Sequence, residues 1–398
     1  MKNINKESIA LHKKHAGKIE IAGKIPVKNR EDLLLAYTPG VGAVCLEIFK
    51  DPKKVYDLTI KKNMIAVVSD GSAVLGLGNL GPLGAIPVME GKALLFKTFG
   101  GVDAFPICLA TQDVEEIIKT VKNIAPIFGG INLEDISAPR CFEVERRLRA
   151  ELDIPVMHDD QHGTSVVVLA GLINSLKLRK SRKENVKIII NGVGAAGTAI
   201  AKLLLCYGFK NIILCDSQGA ITETRGDIGS TSLDLARGKS LAIKNPKLEL
   251  INMIKEKTGN YENVSGGLAT AINGRDIFIG VSKAGVLTEE MVKSMNAKPI
   301  IFAMANPVPE IMPDIAERAG AFIIATGRSD FPNQLNNVLG FPGIFRGAID
   351  KKIKQFTPEM FVCAAEKLAG CVKKPNVNNI IPGPFDKNVV KAVASAIK

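Results

Sequence analysis

The sequence contains no tryptophan and only four tyrosines, and aromatic residues make up just 5% of it. Its formal net charge of +12 therefore does not describe a nucleic-acid surface, because no aromatics interleave with the basic runs for bases to stack on. Lys177–Lys187 reads as a helix-to-strand connection, and the N-terminal lysines fall on a short polar helix. Solvated faces and steering of small anionic substrates account for the basic balance. No apolar run approaches the roughly 20 residues of a membrane span, and Met1 to Glu20 lacks the apolar core of a secretory signal. The seven cysteines include no C-x-x-C pair and sit in apolar neighbourhoods such as Leu205-Cys206 and Leu214-Cys215. They are expected to be buried, reduced thiols of a cytoplasmic protein.

What is present is an ordinary globular balance, 46% hydrophobic and 23% charged, over 398 residues, a length natural for two domains. Val114, Ile117, Ile118, Val121 and Ile124 share one helical face behind a capping-box-like Asp113 and Glu116. Apolar runs at 64–68 and 105–109 read as strands of a first α/β layer, and Gly71–Pro87 as a Gly- and Pro-rich loop serving a site. An apolar helix, Val166–Leu178, leads to strand runs at 186–191, 212–215, 277–281, 300–304 and 322–325. That alternation predicts an α/β fold with a doubly wound, mostly parallel sheet in the second domain. The expected division is an N-terminal substrate and metal domain (1–160), a Rossmann-type nucleotide domain (161–345) and C-terminal helices (346–398) that pack back on the first domain. Residues 217–245 carry too little periodicity to assign.

The second domain opens with Ile189-Ile190-Asn191 breaking into Gly192-Val193-Gly194-Ala195-Ala196-Gly197 and then an apolar helix. The first two glycines close the turn and let backbone approach phosphate, and the third lets helix and strand pack closely. The helix N-terminus then holds a dinucleotide pyrophosphate. Asp216, at the end of the next strand run, can accept from a ribose 2′-hydroxyl and repel a 2′-phosphate, which favours NAD over NADP unless Arg225 reaches over. A second match to the glycine pattern, Gly76–Gly81, is followed by Pro82 and Gly84 and no acidic strand end, and is expected to be only a loop.

Two acidic pairs follow strand-like runs: Glu134-Asp135 after 131–133, and Asp159-Asp160 after 154–158. Carboxylates gathered at strand ends suit Mg²⁺ or Mn²⁺, although single acidic pairs are usually plain surface. His158 and His162 stand four apart as zinc ligands on a helix would, but Pro155 and Gly163 mark a strand-to-helix junction. His12 and His15 read as surface residues. Tyr37, at a tight turn opening a helix, and Lys92, at the start of an apolar segment, are candidate acid and base. A partly buried lysine beside a metal has its pKa lowered and acts as a neutral base, and Lys97 rivals Lys92 for that place.

In order along the chain stand Tyr37-Thr38-Pro39-Gly40-Val41, Ser69-Asp70-Gly71, Gly76–Gly81, Glu90-Gly91-Lys92 and Asn132-Leu133-Glu134-Asp135. His158-Asp159-Asp160-Gln161-His162-Gly163-Thr164, the dinucleotide turn, Asn306-Pro307 and Asn336-Asn337 follow. Together they resemble the short bacterial and archaeal malic enzymes over nearly the whole chain. The resemblance implies oxidative decarboxylation of L-malate to pyruvate and CO₂ with NAD or NADP, in a homodimer whose site draws residues from both chains. It implies Tyr37 as general acid and Lys92 as general base, and Glu134, Asp135 and Asp160 as ligands of Mg²⁺ or Mn²⁺ with Asp159 beside them. Asn306 and Asn337 would contact substrate or nicotinamide. Larger family members carry an arginine after the Asp-Gly, where this chain has Ser72-Ala73, so substrate carboxylate binding falls to Ser72 or loop N–H groups. Three rivals share parts of the pattern. They are a metal-free two-domain dehydrogenase for an amino acid or folate, a zinc hydrolase built on His158 and His162, and a catalytically silent NAD sensor.

Overall fold

A computed structural model describes residues 4–222 and 264–398; Arg225 and most of the unassigned stretch 217–245 lie outside the described residues. The first sheet contains β1 (Met64–Ser69), β2 (Asp103–Cys108), β3 (Gly130–Leu133) and β4 (Val156–His158), all parallel, in the order β2-β1-β3-β4. The second contains β5 (Lys187–Asn191), β6 (Asn211–Asp216), β7 (Gly219–Ala220), β8 (Ile277–Gly280), β9 (Ile300–Ala303) and β10 (Ile323–Thr326). Its order is β10-β9-β8-β5-β6-β7, parallel except for the β6–β7 hairpin. Parallel strands are covered on both faces, which explains continuous apolar runs such as Ile188-Ile189-Ile190, all fully buried. The order reverses at β5, and a doubly wound sheet opens its ligand crevice at the carboxyl ends of the strands flanking such a point.

The helix Asp159–Arg179 joins the sheets, and it is longer than the apolar periodicity announced, starting at Asp159 directly after β4. Gly163 does not delay it, because glycine is needed there: a Cβ would lie 1.9 Å from Asp159 Oδ1. Val166–Leu172 is buried on every side, as in a core helix, and packs on the helices Ala195–Tyr207 and Pro358–Ala369. The helix Phe341–Asp350 lies against Gly81–Gly100 through Phe96, whose ring centroid is 4.5 Å from Phe341 and 5.5 Å from Phe345. The last helix, Asn388–Ala396, packs on Phe341–Asp350 and Pro358–Ala369.

Four expectations need correction. The loop Gly76–Gly81 does lead into a helix, Gly81–Gly100, because Pro82 occupies its first turn, where a missing N–H costs nothing. Lys92 accordingly lies in the middle of that helix and not at the start of a segment. Only Cys141 and Cys215 are buried; Cys45 and Cys206 are exposed, although none of the seven forms a disulfide. Helix periodicity turns Cys206 outward despite its apolar neighbours. Finally, Arg30–Lys50 is long and apolar enough to cross a membrane by length and composition. It is two helices, Arg30–Ala36 and Gly40–Lys50, broken at Tyr37–Pro39, and none of their residues is buried.

Candidate active site

The parallel register of the first sheet delivers its acids to one edge. Leu133 pairs with both Val68 and His158, so Glu134-Asp135 and Asp159-Asp160 emerge side by side. Oxygen atoms of Glu134, Asp135 and Asp160 lie within 4.8 Å of one another. Asp135 takes a left-handed φ of +54°, uncommon outside glycine, and its N–H donates to Asp160 Oδ2 at 3.0 Å. Asn132 Nδ2 donates to Glu134 Oε2 at 2.9 Å, fixing that carboxylate.

Lys92 enters from the Gly81–Gly100 helix. Its Nζ lies 2.6 Å from Asp159 Oδ2 and 2.8 Å from Glu134 Oε1, and 4.2 Å from the Phe341 ring centroid. Burial acts to lower the Lys92 pKa, but Asp159, Glu134 and Asp160 outweigh it, and the net shift is upward. The lowered pKa expected from the sequence is therefore not a property of the protein alone. Lys97 is exposed and pairs with Asp103 at 2.6 Å, away from the acids, so it is no rival. Burial, then neighbouring carboxylates, push Asp135 up to about 9, and burial pushes Asp159 up to about 8 against the pull of Lys92. Glu134 and Asp160 also shift upward. Asp135 Oδ2 and Asp159 Oδ1 are buried with no hydrogen-bond partner. Crowded hard oxygens with raised pKa values and unpartnered atoms fit a divalent cation held by Glu134, Asp135 and Asp160.

The two histidines of the zinc reading diverge. His158 is fully buried in β4 and burial lowers its pKa, while His162 Nε2 lies 2.8 Å from Glu145 Oε1. Glu145 also accepts from the His158 N–H and from Gln161 Nε2, both at 3.1 Å. It ties the start of the helix to its neighbour, a structural role the sequence did not disclose. Among the described residues, the cluster able to hold a metal contains neither histidine.

On the opposite wall is the Gly192–Gly197 turn. Gly192 has φ +114°, and a Cβ there would meet the Val281 carbonyl oxygen at 2.5 Å. A Cβ on Gly197 would meet the Gly192 oxygen at 1.8 Å, whereas Gly194 has open space where a phosphate would approach. Ala195 and Ala196 form the first turn of the helix Ala195–Tyr207. Asp216 ends β6 and accepts from the Gln218 N–H at 2.9 Å.

A cavity of about 650 Å³ runs between these walls, lined by Lys92, Glu134, Asp135 and Asp160 on one side and Ala196, Ser282, Asn306 and Asn337 on the other. Of the glycine-rich turn only Ala196 is among the lining residues, and of the acid, base and substrate candidates two stand apart from it. Tyr37 is 67% exposed, and Ser72 is buried with its hydroxyl donating to Asp70 Oδ1 at 2.5 Å and accepting from the Ser137 N–H at 2.9 Å. Conversely, His12, expected on the surface, lines the cavity together with Ser8 and Lys18. Nothing in the pattern of a short polar helix signalled that, since its approach depends on where the chain turns back.

Mostly parallel sheets whose carboxyl edges face one cleft, with a glycine-rich strand-to-helix turn on one side, are the architecture of a two-domain nicotinamide-dependent oxidoreductase. More narrowly, the chain belongs to the malic enzyme family: the family model described as "Malic enzyme, N-terminal domain" matches residues 16–149, and "Malic enzyme, NAD binding domain" matches 161–397. It is 52% identical to the bifunctional malic/malolactic enzyme of Bacillus subtilis, over 99% of this chain and 92% of that protein. It is 44% identical to the NADP-dependent malic enzyme of Rhizobium meliloti, over 96% of this chain and 50% of that one. The crystal structure of the NAD-dependent malic enzyme from Thermotoga maritima superposes with a TM-score of 0.90 at 48% identity, covering 98% of both chains.

Proposed function

We propose that this chain converts L-malate to pyruvate and CO₂ while reducing NAD in preference to NADP. The observation that carries this reading is a buried lysine wedged between two carboxylates beside a three-acid cage, in the same cleft as a dinucleotide turn.

Glu134, Asp135 and Asp160 would hold Mg²⁺ or Mn²⁺, which when bound would supply Lewis acidity at the oxygen on C2. Gly192, Gly194, Ala195, Ala196 and Gly197 hold the pyrophosphate of NAD, whose nicotinamide supplies the hydride acceptor. Lys92 removes the proton of the 2-hydroxyl, and Asp159, whose Oδ2 lies 2.6 Å from its Nζ, is the carboxylate placed to take the lysine's own proton. The C2 hydride leaves as that proton does. The C3–C4 bond of the resulting 2-oxo acid then breaks, CO₂ departs, and its electron pair is left on C3. Tyr37 gives that carbon a proton, and Asn306 and Asn337 orient the substrate and nicotinamide. Asp216 favours NAD by accepting from the ribose 2′-hydroxyl.

Tyr37 reaches this chemistry from a second copy of the chain. Leu33, Leu34, Leu35, Leu46 and Phe49 around it are all exposed, an apolar surface that a homodimer would cover while bringing Tyr37 to the partner's cleft. Seven cysteines without a disulfide accord with a reducing compartment, the cytoplasm. The test is purified protein with malate, Mn²⁺ and each nucleotide in turn, followed for reduced cofactor and pyruvate. Stoichiometric formation of both with NAD supports the reading; malate turnover that survives exhaustive chelation, or none with either cofactor, ends it.

A further inference from the structure

The charges in the cleft do not close. Once a bound divalent cation has displaced their protons, Glu134, Asp135, Asp159 and Asp160 bring four negative charges and Lys92 one positive, already held between Glu134 and Asp159. A divalent cation leaves that set at about −1, a dicarboxylate substrate takes it to about −3 and the oxidised nicotinamide ring returns it to about −2, so a further cation near the substrate is favoured. Ser72 and Ala73 do not supply it, Ser72 being bonded to Asp70 and Ser137, and Asn306 and Asn337 are neutral. Among the described residues lining the cavity, the basic side chains besides Lys92 are Lys18 and His12.

Both come from the N-terminal segment. After the helix Ile4–His15 the chain turns through Ala16 (φ +51°) and Gly17 (φ +119°), which lays Lys18 on the helix that carries Lys92. Lys18 Nζ donates to the Pro87 carbonyl at 2.6 Å, and a Cβ on Gly91 would stand 3.7 Å from it. One acceptor leaves an ammonium with two more N–H groups to direct. Glu90 packs on Gly17 and its charge acts on Lys18, partly offsetting burial, which lowers the lysine's pKa. His12 Nδ1 bonds the Ser8 carbonyl at 2.7 Å, while its Nε2 is buried with no partner.

We infer that Lys18, with His12 beside it, binds a carboxylate of the dicarboxylate substrate and so sets the preference for a C4 diacid over a monoacid. This deepens the reading given under Proposed function and rests on it. The N-terminal segment then does more than line the cleft: it takes the place of the cation missing after Asp70-Gly71.

The experiment compares full-length wild-type, Lys18→Met and Lys18→Arg. Lys18→Met should raise the malate KM by about tenfold to a hundredfold, the range for losing one charge-assisted hydrogen bond, with the NAD KM unchanged. Lys18→Arg should recover most of the loss. Calorimetric titration of the NAD complex with succinate, a non-reacting C4 diacid, should show the same weakening, whereas butyrate should bind wild-type and Lys18→Met alike. A malate KM within twofold of wild-type, an equal loss of NAD binding, or no recovery with arginine overturns the inference. If wild-type fails to oxidise malate, the reaction assignment falls, and the succinate titration still decides Lys18.

Discussion

Three buried carboxyl groups and a partly exposed fourth are answered by only one lysine, and this conflict is the most consequential feature at the scale of single residues. Asp135 at about 9 and Asp159 at about 8 hold protons that an unfolded carboxyl releases near pH 4. Their folded pKa values exceed the unfolded ones, so their contribution to stability is full below the unfolded pKa and is lost as pH rises through about 8 to 9. The metal-free protein should therefore melt at progressively lower temperature from about pH 5 to about pH 9. Mn²⁺ replaces those protons, so its stabilising effect should be larger near pH 8.5 than near pH 5.5. Thermal melts with and without Mn²⁺ at both pH values check this, and an equal shift at both would contradict it. The acidic pairs themselves were visible in the sequence as strand-end carboxylates. Their raised pKa values and the clamping of Lys92 were not, because both arise from groups up to 67 residues apart meeting in a dry site.

Individual elements show the same division between local and distant causes. The dinucleotide turn was legible because strand, glycines, helix and acid are consecutive, and its geometry follows from local sterics. A Cβ at 197 would collide with a backbone oxygen that cannot step aside. Gly197→Ala should therefore open the turn, costing about 1–3 kcal/mol of stability and weakening NAD binding at least about tenfold. Gly194→Ala, with no protein atom within 4 Å, should leave the melting temperature unchanged and affect only nucleotide affinity. Melting curves and calorimetric NAD titrations of the two variants separate these outcomes. The Gly76–Gly81 match was correctly seen as a loop, yet the helix after it was missed. Its Pro82 and Gly84 look like breakers, but a first-turn proline is a helix start, and the burial of Ala85, Met89, Lys92, Ala93 and Phe96 sustains the rest.

At the scale of the whole molecule, Tyr37, the proposed acid, stands apart from the cleft. In one chain it is exposed on an apolar N-terminal surface, while Lys92 is buried in the cleft. If each site pairs Tyr37 of one copy with Lys92 of the other, Tyr37→Phe and Lys92→Ala proteins, each nearly inactive alone, should complement when mixed. Random re-pairing makes half of the dimers mixed, each with one intact site, so about a quarter of wild-type activity should return. Activity no greater than the sum of the two variants would put Tyr37 and Lys92 of one site on the same chain.

Local order alone determined the α/β alternation, the pyrophosphate turn and the acids poised at strand ends, because each depends on residues adjacent along the chain. Tertiary structure decided which acids meet, that Lys92 and not Lys97 joins them, that Ser72 turns inward to Asp70, and that Lys18 and His12 reach the cleft. Those outcomes depend on the register of parallel strands and the path of a returning segment. Both are set by packing between distant parts of the chain, which no window of neighbouring residues encodes.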